Sequence, residues 1–206
     1  AYDADDYERR LIFQNDGFNI ADISRDGRYV ALVKAHSSAN SDIYLAEVGA
    51  AGSPRLITEH QGNVAYDVYG FTPDSRTLIY GTNETSEFGQ AWTYDLAGGT
   101  KRPLVQADWD VMFVFHSPSG RYRVQGINED ASTRLTITDT RTGRPVALRG
   151  VPAGDLGAVR FNRDETMVAF TVASDTSPSD IFIAHLATGK GRRLTTALNP
   201  AIDVDP

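Results

Sequence analysis

The fold of this chain is decided by the stretch from Asp22 to Leu32, which reads DISRDGRYVAL. It is typical of one β-strand ending, a tight turn, and a second strand beginning. Ser24 and Asp26 can hydrogen-bond to the backbone of the turn, and Gly27 adopts a positive φ at little cost. The β-branched and aromatic residues that follow resume a strand pattern. The stretch therefore predicts a β-hairpin.

This layout returns three more times along the chain, at residues 70–80, 115–124 and 160–170. The turn aspartate or its replacement recurs about every 45 to 48 residues, at Asp26, Asp74, Ser119 and Asp164. Glu165 replaces the turn glycine in the fourth copy, which weakens the pattern without breaking it. A repeat of about 40 to 50 residues that holds about four short strands is typical of a β-propeller blade.

The repeats predict an all-β fold, a partial propeller of about four blades with four antiparallel strands each. The blades are assigned to residues 18–61, 62–110, 111–155 and 156–195. Residues 1–17 resemble the tail of the second repeat, so we expect them to be the last strand pair of a preceding blade. Residues 196–206 contain two prolines and two aspartates, a composition that predicts a linker leaving the domain.

Composition narrows the function classes. The chain has 206 residues, 41% of them hydrophobic, with a formal net charge of −7 and no cysteine. The negative charge argues against a nucleic-acid partner, because a phosphate backbone would be repelled. No apolar run approaches the ~20 residues of a membrane span. The absence of cysteine removes disulfides and thiolate zinc sites but leaves the compartment open, cytoplasmic or periplasmic.

A strand pair without the rest of its blade indicates an open arc cut from a larger ring. Such an arc leaves two blade faces bare, each an apolar patch that a closed ring would bury. Exposing a few hundred Å² of apolar surface at each face costs several kcal/mol, at ~25 cal/mol per Å². We therefore expect the isolated chain to associate with a second copy or to be only marginally stable.

Several stretches, taken in order, resemble one known family. They are 58–62, 71–75, 93–97, 108–112, 126–131, 177–180 and the ending 198–203. Together they are similar to the propeller of prolyl-oligopeptidase-family serine peptidases, of the acylaminoacyl-peptidase or dipeptidyl-aminopeptidase kind, over essentially the whole chain. The turn motif alone is shared with TolB-like propellers.

The resemblance implies a propeller that caps an α/β-hydrolase domain and restricts entry, so that short peptides reach a Ser-Asp-His triad. This chain has no Gly-x-Ser-x-Gly elbow, so no catalytic residue can be carried over and the chain is expected to be inactive alone. The expected partners are the missing hydrolase domain and, through it, peptide substrates. The alternative is a TolB-like protein-interaction propeller without an enzyme, and a glycosidase-type propeller is a distant third.

Candidate sites are few. The histidines, His36, His60, His116 and His185, fall in different repeats with no ligand-like spacing, so neither a metal nor a cofactor is expected. The recurring turn aspartates are explained by their place in the turn.

The best functional candidates are three polar loops that join second to third strands, at 83–89, 128–132 and 173–179. In a propeller these loops share one end, where they would form a rim that attracts a peptide amino terminus or docks the hydrolase domain. The rim residues are Glu84, Glu87, Asn128, Glu129, Asp130 and Asp175. The plain alternative is a set of solvated loops that keep the protein soluble.

Trp109, in the run Asp108-Trp109-Asp110, is the remaining candidate. It lies between two predicted blades rather than at a strand end. The favoured interpretation is a wedge that packs adjacent blades, and the alternative is a residue that lines the channel mouth, as part of the rim.

Overall fold

A computed structural model describes residues 5–9, 11, 15–50, 52–199 and 201. Within this part, the chain forms sixteen β-strands and no α-helix. No helix long and apolar enough to cross a bilayer is found among these residues. The chain divides into two compact halves, Ala1–Val105 and Gln106–Pro206.

Each half holds eight of these strands. The first half has β1 (Asn19–Ile23), β2 (Tyr29–Ser37), β3 (Asn40–Glu47), β4 (Arg55–Leu56), β5 (Tyr66–Phe71), β6 (Thr77–Thr82), β7 (Gln90–Asp95) and β8 (Lys101–Val105). The second half has β9 (Asp110–His116), β10 (Tyr122–Glu129), β11 (Ser132–Asp139), β12 (Arg144–Pro145), β13 (Asp155–Phe161), β14 (Met167–Ser174), β15 (Ser177–His185) and β16 (Gly191–Arg193).

The strands form four separate sheets of four, in the orders β1-β2-β3-β4, β5-β6-β7-β8, β9-β10-β11-β12 and β13-β14-β15-β16. Neighbours within each sheet are antiparallel and consecutive in the chain. Four-stranded antiparallel meanders are the blades of a propeller, so the predicted all-β, partial-propeller fold is confirmed. Below, the sheets are called blades 1 to 4 in chain order.

The first turn forms as its residues predict. The Gly27 N–H donates to the Ser24 carbonyl at 2.8 Å, and φ of Gly27 is +71°. The Asp26 carboxylate accepts from the Ser24 hydroxyl at 2.7 Å and from the Arg28 N–H at 3.1 Å. The hydrogen bond from Ser24 is the main reason that the pKa of Asp26 lies below its ordinary value. Thus Asp26 serves the turn, as expected.

Later copies reuse this chemistry. Asp74 accepts from Thr72 at 2.6 Å, and Asp164 accepts from the Asn162 amide at 2.6 Å. The turn position that Gly27 occupies has a positive φ in every copy: +56° at Ser75, +79° at Gly120 and +52° at Glu165. The two non-glycine residues therefore adopt a backbone conformation that costs an L-residue about 1 to 2 kcal/mol.

Each half has a core between its two consecutive blades. In the first half, Ala31 and Ile43 of blade 1 pack with Leu78 and Tyr80 of blade 2, all fully buried. In the second half, the core residues include Val124, Ile137, Val168, Phe170 and Phe182. The rings of Phe170 and Phe182 stack with centroids 6.3 Å apart.

Two of the predicted loops are shorter than expected, and their boundaries are corrected here. Instead of a loop over 128–132, β10 continues to Glu129, β11 begins at Ser132, and only Asp130 and Ala131 form the turn. Both turn residues have positive φ, +51° and +61°, which is the two-residue turn that matches the twist of a hairpin. The Asp-Ala sequence lacks the glycine that usually signals such a turn.

The 173–179 loop is likewise a short turn, because Ser174 pairs with Ser177. The third predicted loop, 83–89, is a true loop between β6 and β7. The predictions of a strand pair within 1–17 and of a linker at 196–206 rest in part on residues 1–4, 10, 12–14, 200 and 202–206, which lie outside the described residues.

Candidate functional site

The strand register gathers several candidate residues of the second half at one end of blades 3 and 4. Asn128, near the end of β10, pairs with Asp110, the first residue of β9, so Trp109 lies next to the β10–β11 turn. The N–H of Thr133 donates to the Asp155 carboxylate at 3.0 Å. Asp155 in turn pairs with Ala173 near the end of β14. The starts of β9 and β13 and the β10–β11 and β14–β15 turns therefore lie at this end of the two blades.

Several acidic residues lie at this end. We define the acidic end of the second half by the residues Asp108, Asp110, Glu129, Asp130, Asp155 and Asp175. The guanidinium of Arg134 forms an ion pair with Glu129 at 2.8 Å. Six carboxylates at one end, with Arg134 paired to one of them, give this end a negative local potential.

The structure places the predicted residues at this end in different settings. Asp130 and Asp175 lie in the hairpin turns and are exposed. Asn128 and Glu129 belong to β10 rather than to a loop, and both are half-buried. Trp109 keeps 40% of its surface exposed, more than a residue that fills a core would keep. The favoured interpretation of Trp109 as a packing wedge therefore explains only part of its surface.

Glu84 and Glu87 belong to the first half, where we call residues 83–89 the acidic loop. Both glutamates are exposed. Asn83 accepts a hydrogen bond from the Ala65 N–H at 2.9 Å, and the Glu84 N–H donates to the Thr82 hydroxyl at 3.0 Å. The loop is thus anchored at its start by side-chain hydrogen bonds while its carboxylates face solvent.

Glu84 also acts on the tyrosines beneath the acidic loop. Burial, reinforced by the negative charge of Glu84, raises the pKa of Tyr66 and Tyr80. An anionic phenolate is disfavoured in an apolar core next to a carboxylate. These tyrosines therefore remain neutral well above the ordinary range of tyrosine ionisation.

Sequence reasoning missed a cluster of two histidines around an aspartate near the start of β3. The Asp42 carboxylate lies 3.0 Å from His36 Nε2 and 3.4 Å from His60 Nδ1. The Thr58 hydroxyl donates to the same carboxylate at 3.3 Å and accepts from the Ile43 N–H at 2.8 Å. Sequence spacing gave no signal, since strand pairing brings His36 to Asp42 and the return of the chain after β4 brings His60.

A related arrangement occurs in blade 4. The buried Asp180 accepts hydrogen bonds from the Thr195 hydroxyl at 2.7 Å and the Ala197 N–H at 2.9 Å, and it pairs with Arg193. Burial acts to raise the pKa of Asp180, but these partners outweigh it and hold the pKa below its ordinary value. Asp42 and Asp180 thus both fasten the last segment of their blade, which favours a structural role for each.

The carboxylates of the acidic end and the acidic loop can attract cationic groups and accept hydrogen bonds from them. Among the described residues, no three His, Cys, Asp or Glu side chains are arranged to hold a metal ion.

Comparisons with known proteins connect this fold to a family. The model of the family described as "Prolyl oligopeptidase, N-terminal beta-propeller domain" matches residues 5–197. No curated protein matches the chain.

Solved structures show the same fold at low sequence identity. Prolyl oligopeptidase B from Galerina marginata, in its apo form, is 16% identical with a TM-score of 0.73, covering 95% of this chain and 29% of that one. A structure from a study of two prolyl endopeptidases is 20% identical with a TM-score of 0.69, covering 89% and 27%. TolB from Acinetobacter baumannii is 19% identical with a TM-score of 0.63, covering 91% and 45%. The chain thus spans less than half the length of each of these proteins.

Proposed function

Because this chain belongs to the family of prolyl oligopeptidase N-terminal β-propeller domains, we propose that it is the non-catalytic propeller portion of a serine peptidase. In this role it gates and selects peptide substrates for an α/β-hydrolase domain that carries the catalytic triad. The observation that carries the proposal is the family match, which extends over residues 5–197 and so takes in all four blades.

The acidic end and the acidic loop provide the physical basis for selection. A peptide with a free amino terminus carries a positive charge, and carboxylates attract it over about 8 Å, the Debye length of physiological salt. Such steering acts chiefly on the rate of encounter and on the choice of partner. Substrates with a free amino terminus are therefore favoured over blocked ones.

The proposal is tested in the longer peptidase that contains this segment together with its hydrolase domain. The double variant Glu84→Lys with Glu87→Lys reverses the charge of the acidic loop. We expect kcat/KM to fall several-fold for peptides with a free amino terminus and to stay unchanged for the same peptides acetylated at that end. The loss should shrink at high salt, because screening weakens steering.

A matched control reverses a charge at the opposite end of a blade. Glu47, the last residue of β3, is exposed and lies 3.6 Å from Arg28. Glu47→Lys should leave both classes of peptide unaffected. Equal losses for free and blocked peptides in the acidic-loop variant would contradict selection of the amino terminus and point to docking of the hydrolase domain. No loss for either would leave solubility as the only role of the loop.

A second candidate is a TolB-like protein-interaction propeller with no associated enzyme, which the likeness to TolB from Acinetobacter baumannii favours. The region of the gene that follows the codon for Pro206 discriminates the two. A strand–helix alternation that carries a Gly-x-Ser-x-Gly elbow supports the peptidase, and a stop codon supports the interaction propeller.

A further inference from the structure

Blade 3 differs from its neighbour in how its third strand is covered. In blade 4, the outer edge of β15 is bonded as far as Ile181: its carbonyl accepts from the Leu194 N–H at 2.7 Å, and its N–H donates to the Thr195 hydroxyl at 2.9 Å. In blade 1, Ile43 of β3 is bonded in the same way, to Ile57 and to Thr58. In blades 1 and 4, therefore, the outer edge of the third strand is hydrogen-bonded to the last segment of the blade.

The corresponding edge of β11 is open. The short strand β12 pairs with β11 only at Thr138 and Asp139, and one further bond runs from the Val146 N–H to the Ile137 carbonyl at 2.7 Å. Backbone groups of alternate residues face the same edge of a strand, so the N–H and C=O of Leu135 face outward like those of Ile137. Neither group has a partner among residues 52–199.

Two features of the chain explain the open edge. After Val146 the chain leaves blade 3 for the edge of blade 4, where the Arg149 N–H donates to the Gly189 carbonyl and the Arg149 carbonyl accepts from Gly191, each at 2.7 Å. In addition, Arg134 takes the place in β11 that Asp180 has in β15. Since Arg134 pairs with Glu129 of β10 instead, β11 has no carboxylate there to hold a last strand.

A cleft of about 490 Å³ lies along this edge. Its apolar lining is formed by Leu135, Val146, Leu148, Val151 and Leu156. The ion pair of Glu129 and Arg134 stands at its polar side. The volume is within the ~300–1,000 Å³ of ligand sites, and an apolar cleft beside unpaired strand groups is the arrangement that binds an added strand.

We propose that the open edge of β11 binds an extended peptide segment by strand addition. The stretch from Ser132 to Thr136 spans roughly 16 Å at ~3.3 Å per residue, which suits a segment of four or five residues. The Thr133 N–H at one end of this stretch already donates to the Asp155 carboxylate, so the backbone of the segment bonds chiefly to Leu135. Its alternate apolar side chains enter the cleft while its backbone bonds to Leu135. The carboxylates of Asp130 and Asp155 at the acidic end select a basic residue at the end of the segment beside them. The proposal does not depend on the peptidase function.

The test uses the full chain and a labelled ten-residue peptide of alternating valine and threonine with a lysine at each end. Binding is followed by fluorescence anisotropy, and hydrogen exchange is read at individual amides. At saturation we expect the exchange rate of the Leu135 amide to fall at least about tenfold, because an amide within a ladder exchanges only when the added strand opens. The same peptide with alternate amides N-methylated keeps its side chains but loses its donors, and should give no protection.

Protein variants test the cleft independently. Leu148→Glu introduces a charge into the apolar lining and should weaken binding at least tenfold. Leu194→Glu, a matched control on the covered edge of blade 4 where Leu194 is 47% exposed, should not change it. Equal protection by the N-methylated peptide, or protection at amides other than those of β11, would overturn the proposal. Protection of Leu135 that rises with protein concentration alone would assign the edge to a second copy of the chain and also overturn it.

Discussion

The carboxylate of Glu165, in the first turn of blade 4, accepts a hydrogen bond from the backbone N–H of Ser119, in the first turn of blade 3, at 2.6 Å. It also accepts from the hydroxyls of Ser117 and Ser119. The residue that replaces the turn glycine thus ties two consecutive blades together. The backbone strain of its φ of +52° is offset by bonds that a glycine could not make.

The first half contains the same tie in a weaker form. Ser75, at the equivalent turn position of blade 2, accepts from the N–H of Asp26 in blade 1 at 3.1 Å. Asp26 is in turn the equivalent of Ser119. In both halves, therefore, a backbone N–H in the first turn of one blade donates to a side chain in the first turn of the next blade. Glu165 accepts three hydrogen bonds in all, and Ser75 accepts one.

The first prediction compares Glu165→Gly with Ser75→Gly. Each change relieves about 1 to 2 kcal/mol of backbone strain. The first loses three hydrogen bonds to a carboxylate, each worth about 1.5 to 3 kcal/mol, whereas the second loses one bond to a hydroxyl, worth about 0.5 to 1.5 kcal/mol. Glu165→Gly should therefore lower the free energy of unfolding by at least about 2 kcal/mol, and Ser75→Gly should leave it nearly unchanged. Urea unfolding checks both, and equal effects would contradict the tie.

A second prediction concerns acid stability. Burial acts to raise the pKa of Glu165, but the hydrogen bonds from Ser119 and Ser117 outweigh it and hold the pKa below its ordinary value. A carboxyl whose pKa is lower in the folded state stabilises the protein above the ordinary pKa, and this stabilisation is lost as pH falls through the folded value. Glu165→Gln should flatten the decline in unfolding free energy below about pH 4.5. An acid limb identical to that of the wild type would show that Glu165 is not its source.

The third prediction uses two glycines in equivalent turns. Gly143 and Gly189 have φ of +68° and +69°, and each donates its N–H across its turn. A Cβ at Gly143 would meet nothing within 4 Å, whereas one at Gly189 would lie 1.7 Å from the Ala147 carbonyl oxygen. Gly143→Ala should cost only the left-handed strain of about 1 to 2 kcal/mol.

Gly189→Ala should cost clearly more, because the segment around Ala147 must move away from blade 4. Thermal unfolding of the two variants measures the difference directly. Equal costs would mean that the chain between blades 3 and 4 yields without a penalty.

A fourth prediction concerns alkaline pH. Burial, with Glu84 and Tyr94 nearby, raises the pKa of Tyr80, so Tyr80 stays neutral in the folded chain while it ionises at about pH 10 in the unfolded one. Stability should therefore fall as pH rises above about 10. Absorbance at 295 nm should show Tyr80 ionising only as the chain unfolds, and Tyr80→Phe should reduce the loss of stability. Full ionisation before unfolding would contradict the assignment.

The fifth prediction is self-association of the isolated chain. Ile20 and Ile23 of β1 are 60% and 52% exposed, and exposed apolar strand surface favours pairing with another chain. Light scattering should show a species larger than one chain at micromolar concentration. Ile20→Lys with Ile23→Lys should shift it toward the monomer, and a wild-type chain that stays monomeric would refute the expectation.

The repeating turn was sufficient to predict the fold. A turn such as Ser24-Arg25-Asp26-Gly27 is closed by bonds among neighbouring residues, so its conformation is encoded locally and can be recognised wherever it recurs. The strand alternation around it then predicts the meander. The turn at Asp130 and Ala131 was misjudged because both residues adopt a positive φ without the usual glycine signal.

The sequence by itself determined the all-β class, the four blades and the family, because each depends on short-range patterns and their period. Only the tertiary structure decided that Glu165 reaches Ser119, that Asp42 contacts His36 and His60, and that the edge of β11 stays open. Those contacts join residues far apart in the chain, and their distances depend on how strands pair and blades pack. No local pattern encodes them, since the same glutamate or aspartate would serve equally well on a solvated surface.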